Sequence, residues 1–308
     1  MKKELPEQLA FLASRRAEQR SSAASMKGKT CVVTGATSGV GLAASRRLAG
    51  GGADLVLVAR DRAKAESVRD ELTGRSSGSV DLVIADLADL AEVRRAAGEL
   101  LARLPRIDLL LNSAGMHSTT RRMTREGFEL VFCVNHLAPF LLTSLLLERI
   151  KASAPARIIQ VNSEGHRFGG LDIDDLNWEH RHYTGLRGYG ASKMAQLLTV
   201  WEFADRLAGS GVTINAMHPG DVRTNIGRNN GLLYRAFTRL VVRPFLKDPA
   251  ISGESLYWLA ASPEMAEVGG KFFHLTVEEI PEARSRDREL GKRVWELSRK
   301  LTGLGTAD

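Results

Sequence analysis

Six short runs rich in aliphatic and β-branched residues recur along this 308-residue chain, spaced so that a helix fits between most neighbours. They are TCVVT (30–34), DLVLVA (54–59), SVDLVIA (79–85), RIDLLLN (106–112), ARIIQVNS (156–163) and GVTINAM (211–217). Most are near-continuously apolar rather than alternating, so neither face of such a strand is built to meet water. Strands of that kind belong to a parallel sheet covered by helices on both sides, because each parallel crossover needs a connecting helix. The pattern predicts a doubly wound α/β fold in a single domain. A polar N-terminal extension over residues 1–27 precedes the domain over 28–308, which carries a helical lid over about 221–250 and a C-terminal helical extension over about 282–302.

Composition narrows the class. No run of 18 apolar residues stands out as able to cross a bilayer, and the opening MKKELPEQLAFLASRRAEQR breaks its apolar stretch with Glu4, Glu7, Arg15 and Arg16. That argues against export and for a cytoplasmic protein. The two cysteines, Cys31 and Cys133, lack neighbours at metal-ligand spacing, so neither a disulfide nor a metal is expected. Much of the net charge of +7 sits in the tail, where residues 1 to 29 hold seven Lys and Arg against three Glu. With no nucleic-acid-binding motif beside it, this charge does not predict a nucleic-acid partner. His117, His166, His180, His182 and His218 fall in or near loops expected to face a cleft, with no zinc-type spacing among them.

Two stretches carry chemistry. TGATSGVG (34–41) follows the first strand and opens a helix. Glycines there permit a tight turn and close backbone approach, while the helix N-terminus offers unpaired N–H groups to a pyrophosphate. YGASK (189–193) sets a phenol and an ammonium four residues apart, hence on one helix face.

Together with NSAG (112–115), QVNS (160–163) and HPG (218–220), these motifs in this order resemble the short-chain dehydrogenase/reductase family, over roughly residues 28 to 262. ARDRAKAE after the second strand, VNHLAPFLLT (134–143), NSEGHRFG (162–169) and the ending RVWELSRKLTGL look like its retinol dehydrogenase-like branch. The resemblance implies a Rossmann-type sheet and interconversion of an alcohol with a ketone or aldehyde. Tyr189 would be the proton donor and acceptor. Lys193, assisted by the oxidised nicotinamide, would lower the phenol's pKa and would bind the nicotinamide ribose, Ser163 would hold the reacting oxygen, and Asn135 would keep a water for proton relay. Ser113 stands where a second Asn is common, Asn162 where a Ser is common, and Ala138–Pro139 replaces the usual Gly and its neighbour.

By the same resemblance the dinucleotide would be held by Gly35, Thr37, Ser38, Gly39, Val40 and Gly41, and by Asp86 and Leu87 after the third strand. Asn112, Ala114 and Gly115 would contact it from NSAG, joined by Tyr189 and Lys193, and by Pro219, Gly220, Val222 and Thr224 after HPG. An acid closing the second strand would select NAD(H); here Ala59 occupies that place and Arg60 follows, which favours NADP(H). Asp61 reads as the N-cap of the next helix. The segment 229–249 has an apolar face of Leu233, Phe237 and Leu240 and a basic stripe of Arg235, Arg239, Arg243 and Lys247, as a lid over a bulky hydrophobic substrate would. A homodimer through helices beginning near residues 122 and 189 is a further implication. A tailoring ketoreductase of secondary metabolism and a non-catalytic NADP(H) sensor are the alternative readings. The intact Ser163, Tyr189 and Lys193 disfavour the sensor.

Overall fold

A computed structural model describes residues 17–222 and 246–305. The strands are β1 (Thr30–Thr34), β2 (Asp54–Ala59), β3 (Val80–Ile84), β4 (Leu109–Asn112), β5 (Ala156–Val161), β6 (Val212–His218), β7 (Phe272–His274) and β8 (Val277–Glu279). They form one sheet in the order β3-β2-β1-β4-β5-β6-β7-β8, parallel throughout except that β8 runs antiparallel to β7. All six runs read from the sequence are strands. β7 and β8 are additions, three residues each and too short for a periodic signal of their own.

The helices are α1 (Gly39–Gly50), α2 (Arg62–Thr73), α3 (Leu90–Arg103), α4 (Leu130–Ala152), α5 (Gly185–Arg206), α6 (Ala250–Ala261) and α7 (Arg288–Leu301). Two separate cores explain why the strands are apolar on both faces. On one side Leu48, Leu72, Leu256 and Trp258, from α1, α2 and α6, pack on the sheet. On the other, Val93, Leu141, Leu198 and Trp295, from α3, α4, α5 and α7, do the same. The C-terminal extension is thus part of the core: Trp295 lies edge-on to Phe203 and Phe140, with ring centroids 4.6 and 5.1 Å away.

Two expectations change. α4 is, by length and composition, long and apolar enough to cross a membrane, but 78% of that stretch is buried inside the fold. Its apolarity is that of a core helix enclosed by sheet and neighbouring helices. No helix begins near residue 122; Met123 and Glu129 form a bridge, and Glu129 then caps α4 by accepting from the N–H groups of Val131 and Phe132. The helix bearing YGASK begins at Gly185, one turn before Tyr189, where Thr184 supplies the cap.

The described end of the N-terminal extension lies along the body. Arg20 N donates to Thr276 Oγ1, Arg47 reaches the Ser22 carbonyl, and Met26 N donates to Gly51 O. Most of the lid segment, residues 223–245, lies outside the described residues, and with it Thr224, Arg235, Arg239 and Arg243.

Candidate active site

β1 and β4 are neighbours in the sheet, yet the chain leaves them for opposite sides, so the loops after their C-terminal ends part and leave a cleft. The cleft is about 1000 Å³. Its floor is the glycine-rich turn. Gly35 has φ +67°, and a Cβ there would lie 2.7 Å from Ala114 Cα; one on Gly41 would lie 2.4 Å from the Gly35 carbonyl oxygen. Thr34 Oγ1 accepts from the N–H groups of Ser113 and Ala114, both at 3.1 Å, binding the turn after β1 to that after β4. At the start of α1, Ser38 makes no side-chain cap and the first turn carries no acid. The helix end therefore keeps its positive potential toward the cleft, and a backbone cradle that excludes side chains beside such an end fits a dinucleotide pyrophosphate.

Thr37, Gly39 and Val40 line this floor. Arg60, Asp86 and Leu87 line the rim at one end, and Ala114 and Gly115 the middle. Arg60 stands 3.6 Å from Asp86, and Asp61 caps α2 through Lys64 N, as expected. Asp86 also accepts from Ala88 N at 3.0 Å, a local turn bond. Asn112 is placed differently from its neighbours: its amide donates to Thr143 Oγ1 at 3.0 Å in the core, and it does not line the cleft.

The other end gathers Ser163, Tyr189, Lys193, Pro219, Gly220 and Val222. Ser163, two residues past the end of β5, has extended backbone and accepts from Gly165 N at 3.0 Å. Tyr189 and Ser163 meet over Gly165: a Cβ there would lie 2.8 Å from the Tyr189 ring and 3.3 Å from Ser163 Oγ. Lys193 is 2% exposed; its ammonium donates to the Val161 carbonyl at 2.8 Å and to Gln196 Oε1 at 3.3 Å. Asn162, where serine is common, proves to be a brace. Its amide donates to Lys193 O and Gln196 Oε1, and its oxygen accepts from Ser163 N at 2.8 Å.

Asn135 lies where α4 widens by one residue, Ala138 N donating to Cys133 O rather than to the carbonyl one residue later. Its side chain accepts from Met116 N and donates to Met116 O and Ser192 Oγ. Pro139 explains why its carbonyl is available. In a regular helix that oxygen would receive the N–H of residue 139, which proline lacks; it accepts instead from Gln196 Nε2 at 3.1 Å. The substitution at Ala138–Pro139 thus ties α4 to α5. Gln196, which joins Asn135, Asn162 and Lys193, was not singled out from the sequence, although residues 189, 193 and 196 share a helix face.

The expected depression of the phenol pKa by Lys193 is not what the chain alone produces. Burial pushes Tyr189 up, and the neighbouring Ser163 side chain pulls it only partly back. Burial likewise lowers Lys193 to about 7. The ammonium lies 5.9 Å from the phenol ring centre, with its protons directed at Val161 and Gln196, so desolvation outweighs it.

The family model for short chain dehydrogenases matches residues 29–232. Human retinol dehydrogenase 13 is 39% identical over 288 residues, covering 92% of this chain and 87% of that protein. A crystal structure of an uncharacterized protein from Mycobacterium paratuberculosis superposes with a TM-score of 0.75 at 30% identity, covering 93% of this chain and 98% of that one. A blue fluorescent protein from a metagenomic library, solved in complex with NADPH, gives a TM-score of 0.64 at 26% identity over 81% of this chain and 96% of its own. The fold and the cleft thus define an oxidoreductase of alcohols and carbonyls that uses a nicotinamide dinucleotide. The chain belongs to the short-chain dehydrogenase/reductase family, in its retinol dehydrogenase-like branch.

Because Lys193 titrates near 7 when folded and near its ordinary 10.5 when unfolded, the unfolded chain binds more protons between those values. The burial penalty is therefore absent above that window and complete below it. Lys193→Met should gain stability relative to the wild type between pH 10 and pH 6, by on the order of 1 kcal/mol or more, measured by urea unfolding at both pH values. A gap that does not change with pH would show that the ammonium is not strained by burial.

Proposed function

We propose that this protein is an NADP(H)-preferring alcohol dehydrogenase/carbonyl reductase for a bulky apolar substrate. The observation that carries the reading is the convergence of Ser163, Tyr189 and Lys193 on one end of the cleft, with the Tyr189 ring and Ser163 Oγ meeting over Gly165. When bound, the nicotinamide supplies the hydride in reduction and accepts it in oxidation.

The chain's own residues manage the oxygen. Ser163 Oγ holds the carbonyl in line, and Tyr189 releases its proton as the oxygen gains negative charge. In the reverse direction the phenolate accepts the alcohol proton, and the Lys193 ammonium favours that anion. Asn162 and Gln196 keep Lys193 from swinging away. Asn135, fixed to Met116 and Ser192, would keep a water through which the relayed proton leaves.

The cofactor preference rests on the end of β2, where Ala59 leaves the 2′-position without a carboxylate and Arg60 brings a positive group to the rim. The apolar character of the substrate rests on Met116, Val134 and Leu246 in the cleft wall and on the name of the retinol dehydrogenase relative.

Tyr189→Phe should lower turnover of hydrophobic aldehydes with NADPH on the order of a thousandfold and leave the dinucleotide dissociation constant within a fewfold of the wild type; retained turnover would overturn the mechanism. Arg60→Ala should weaken NADPH binding about tenfold or more, since a charge-assisted bond is lost, and leave NADH nearly untouched. Equal losses for the two cofactors, read by fluorescence titration, would place recognition of the 2′-phosphate elsewhere.

A further inference from the structure

Behind the catalytic serine lies a second cluster with a different chemistry. Parallel pairing of β6 with β7 puts His218 beside His274 at the strand ends, ring centroids 4.9 Å apart and nearly perpendicular. The turn after β5 then brings Glu164, the residue following Ser163, over the same point. One donor atom from each of the three lies within 4.8 Å of the others, and all three residues are buried.

Charge and hydrogen bonding there are unbalanced. Glu164 Oε2 accepts from Arg167 Nε, whereas Oε1 is buried without a hydrogen-bond partner among the described residues. Glu279, at the end of β8, has both carboxylate oxygens in the same condition; it sits 3.7 Å from His274 Nδ1 and 3.8 Å from Arg167. Among the described residues, two carboxylates, 9% and 7% exposed, thus face the Arg167 guanidinium. A buried anion left in that state is unfavourable unless a cation or proton joins it.

We propose that Glu164, His218 and His274 bind a divalent cation of the zinc class in the wall of the cleft. Two imidazoles and one carboxylate form a donor set suited to zinc, with Glu279 placed to orient His274. Donors of a tetrahedral zinc are about 3.4 Å apart, given bonds of about 2.1 Å, so the three side chains would close by about 1 Å. The cation would clamp the ends of β6 and β7 to the turn after Ser163, fixing the wall against which the substrate carbonyl is held. The spacing along the sequence carries no sign of this, because each ligand comes from a different strand end.

The test needs no turnover. The full chain, stripped with chelator and dialysed, is titrated with Zn²⁺ by calorimetry and with Co²⁺ by visible absorption. The proposal expects one equivalent bound at micromolar affinity or tighter, a tetrahedral Co²⁺ band, and a raised melting temperature. Glu164→Gln and His274→Ala should each weaken binding about a hundredfold while keeping dinucleotide binding, which reports their folding. Wild-type chain without stoichiometric binding or a Co²⁺ band would overturn the site, leaving a proton shared between Glu164 and Glu279 as the resolution of the buried charge. Unchanged affinity in folded variants would overturn it equally. The wild-type Co²⁺ spectrum decides the matter even where a variant does not fold.

Discussion

A buried ammonium cannot persist without acceptors, and the way this chain supplies them to Lys193 organises that whole end of the cleft. Val161 O at the last position of β5 and Gln196 Oε1 one turn along α5 receive its protons. Asn162 then bonds the carbonyl of Lys193 and the same Gln196 oxygen, and Gln196 donates to Asn135 O in α4. A strand end and two helices are thus held in register by one polar network in which the members satisfy one another. Ser163 and Tyr189 inherit their positions from it, Ser163 through Asn162 and Tyr189 through the helix it shares with Lys193.

The same network shows how departures from a family's usual residues fit together. Asn162 in place of serine supplies the amide that braces Lys193. Pro139 withholds an N–H from Asn135 O, and Gln196 fills that position. Neither change disturbs a reacting group; both add ties between the elements that carry them.

Features governed by local pattern were legible in the sequence. The six apolar runs with helical segments between them mark the strands of a parallel sheet, the glycines at 35, 39 and 41 mark a backbone turn, and Tyr189 and Lys193 share a helix face by spacing alone. Features governed by distant contacts were not. β7 and β8 are strands because an existing sheet edge accepts them. Asn112 looked like its cleft-lining neighbours until the fold turned its amide toward Thr143. The phenol pKa depends also on burial, which no spacing reports and which raises it in the chain alone. The Glu164–His218–His274 grouping likewise exists only once β5, β6 and β7 lie side by side.

The central claim is that Ser163, Tyr189 and Lys193 serve hydride chemistry in this cleft rather than mere dinucleotide binding. Incubation with NADPH deuterated at both C4 positions and a panel of bulky apolar aldehydes and ketones tests it most directly, with the products read by mass spectrometry and NMR. The account predicts one deuterium on the carbinol carbon and a solvent-derived proton on the oxygen. NADPH bound tightly, with no deuterated alcohol formed from any member of the panel, would contradict it.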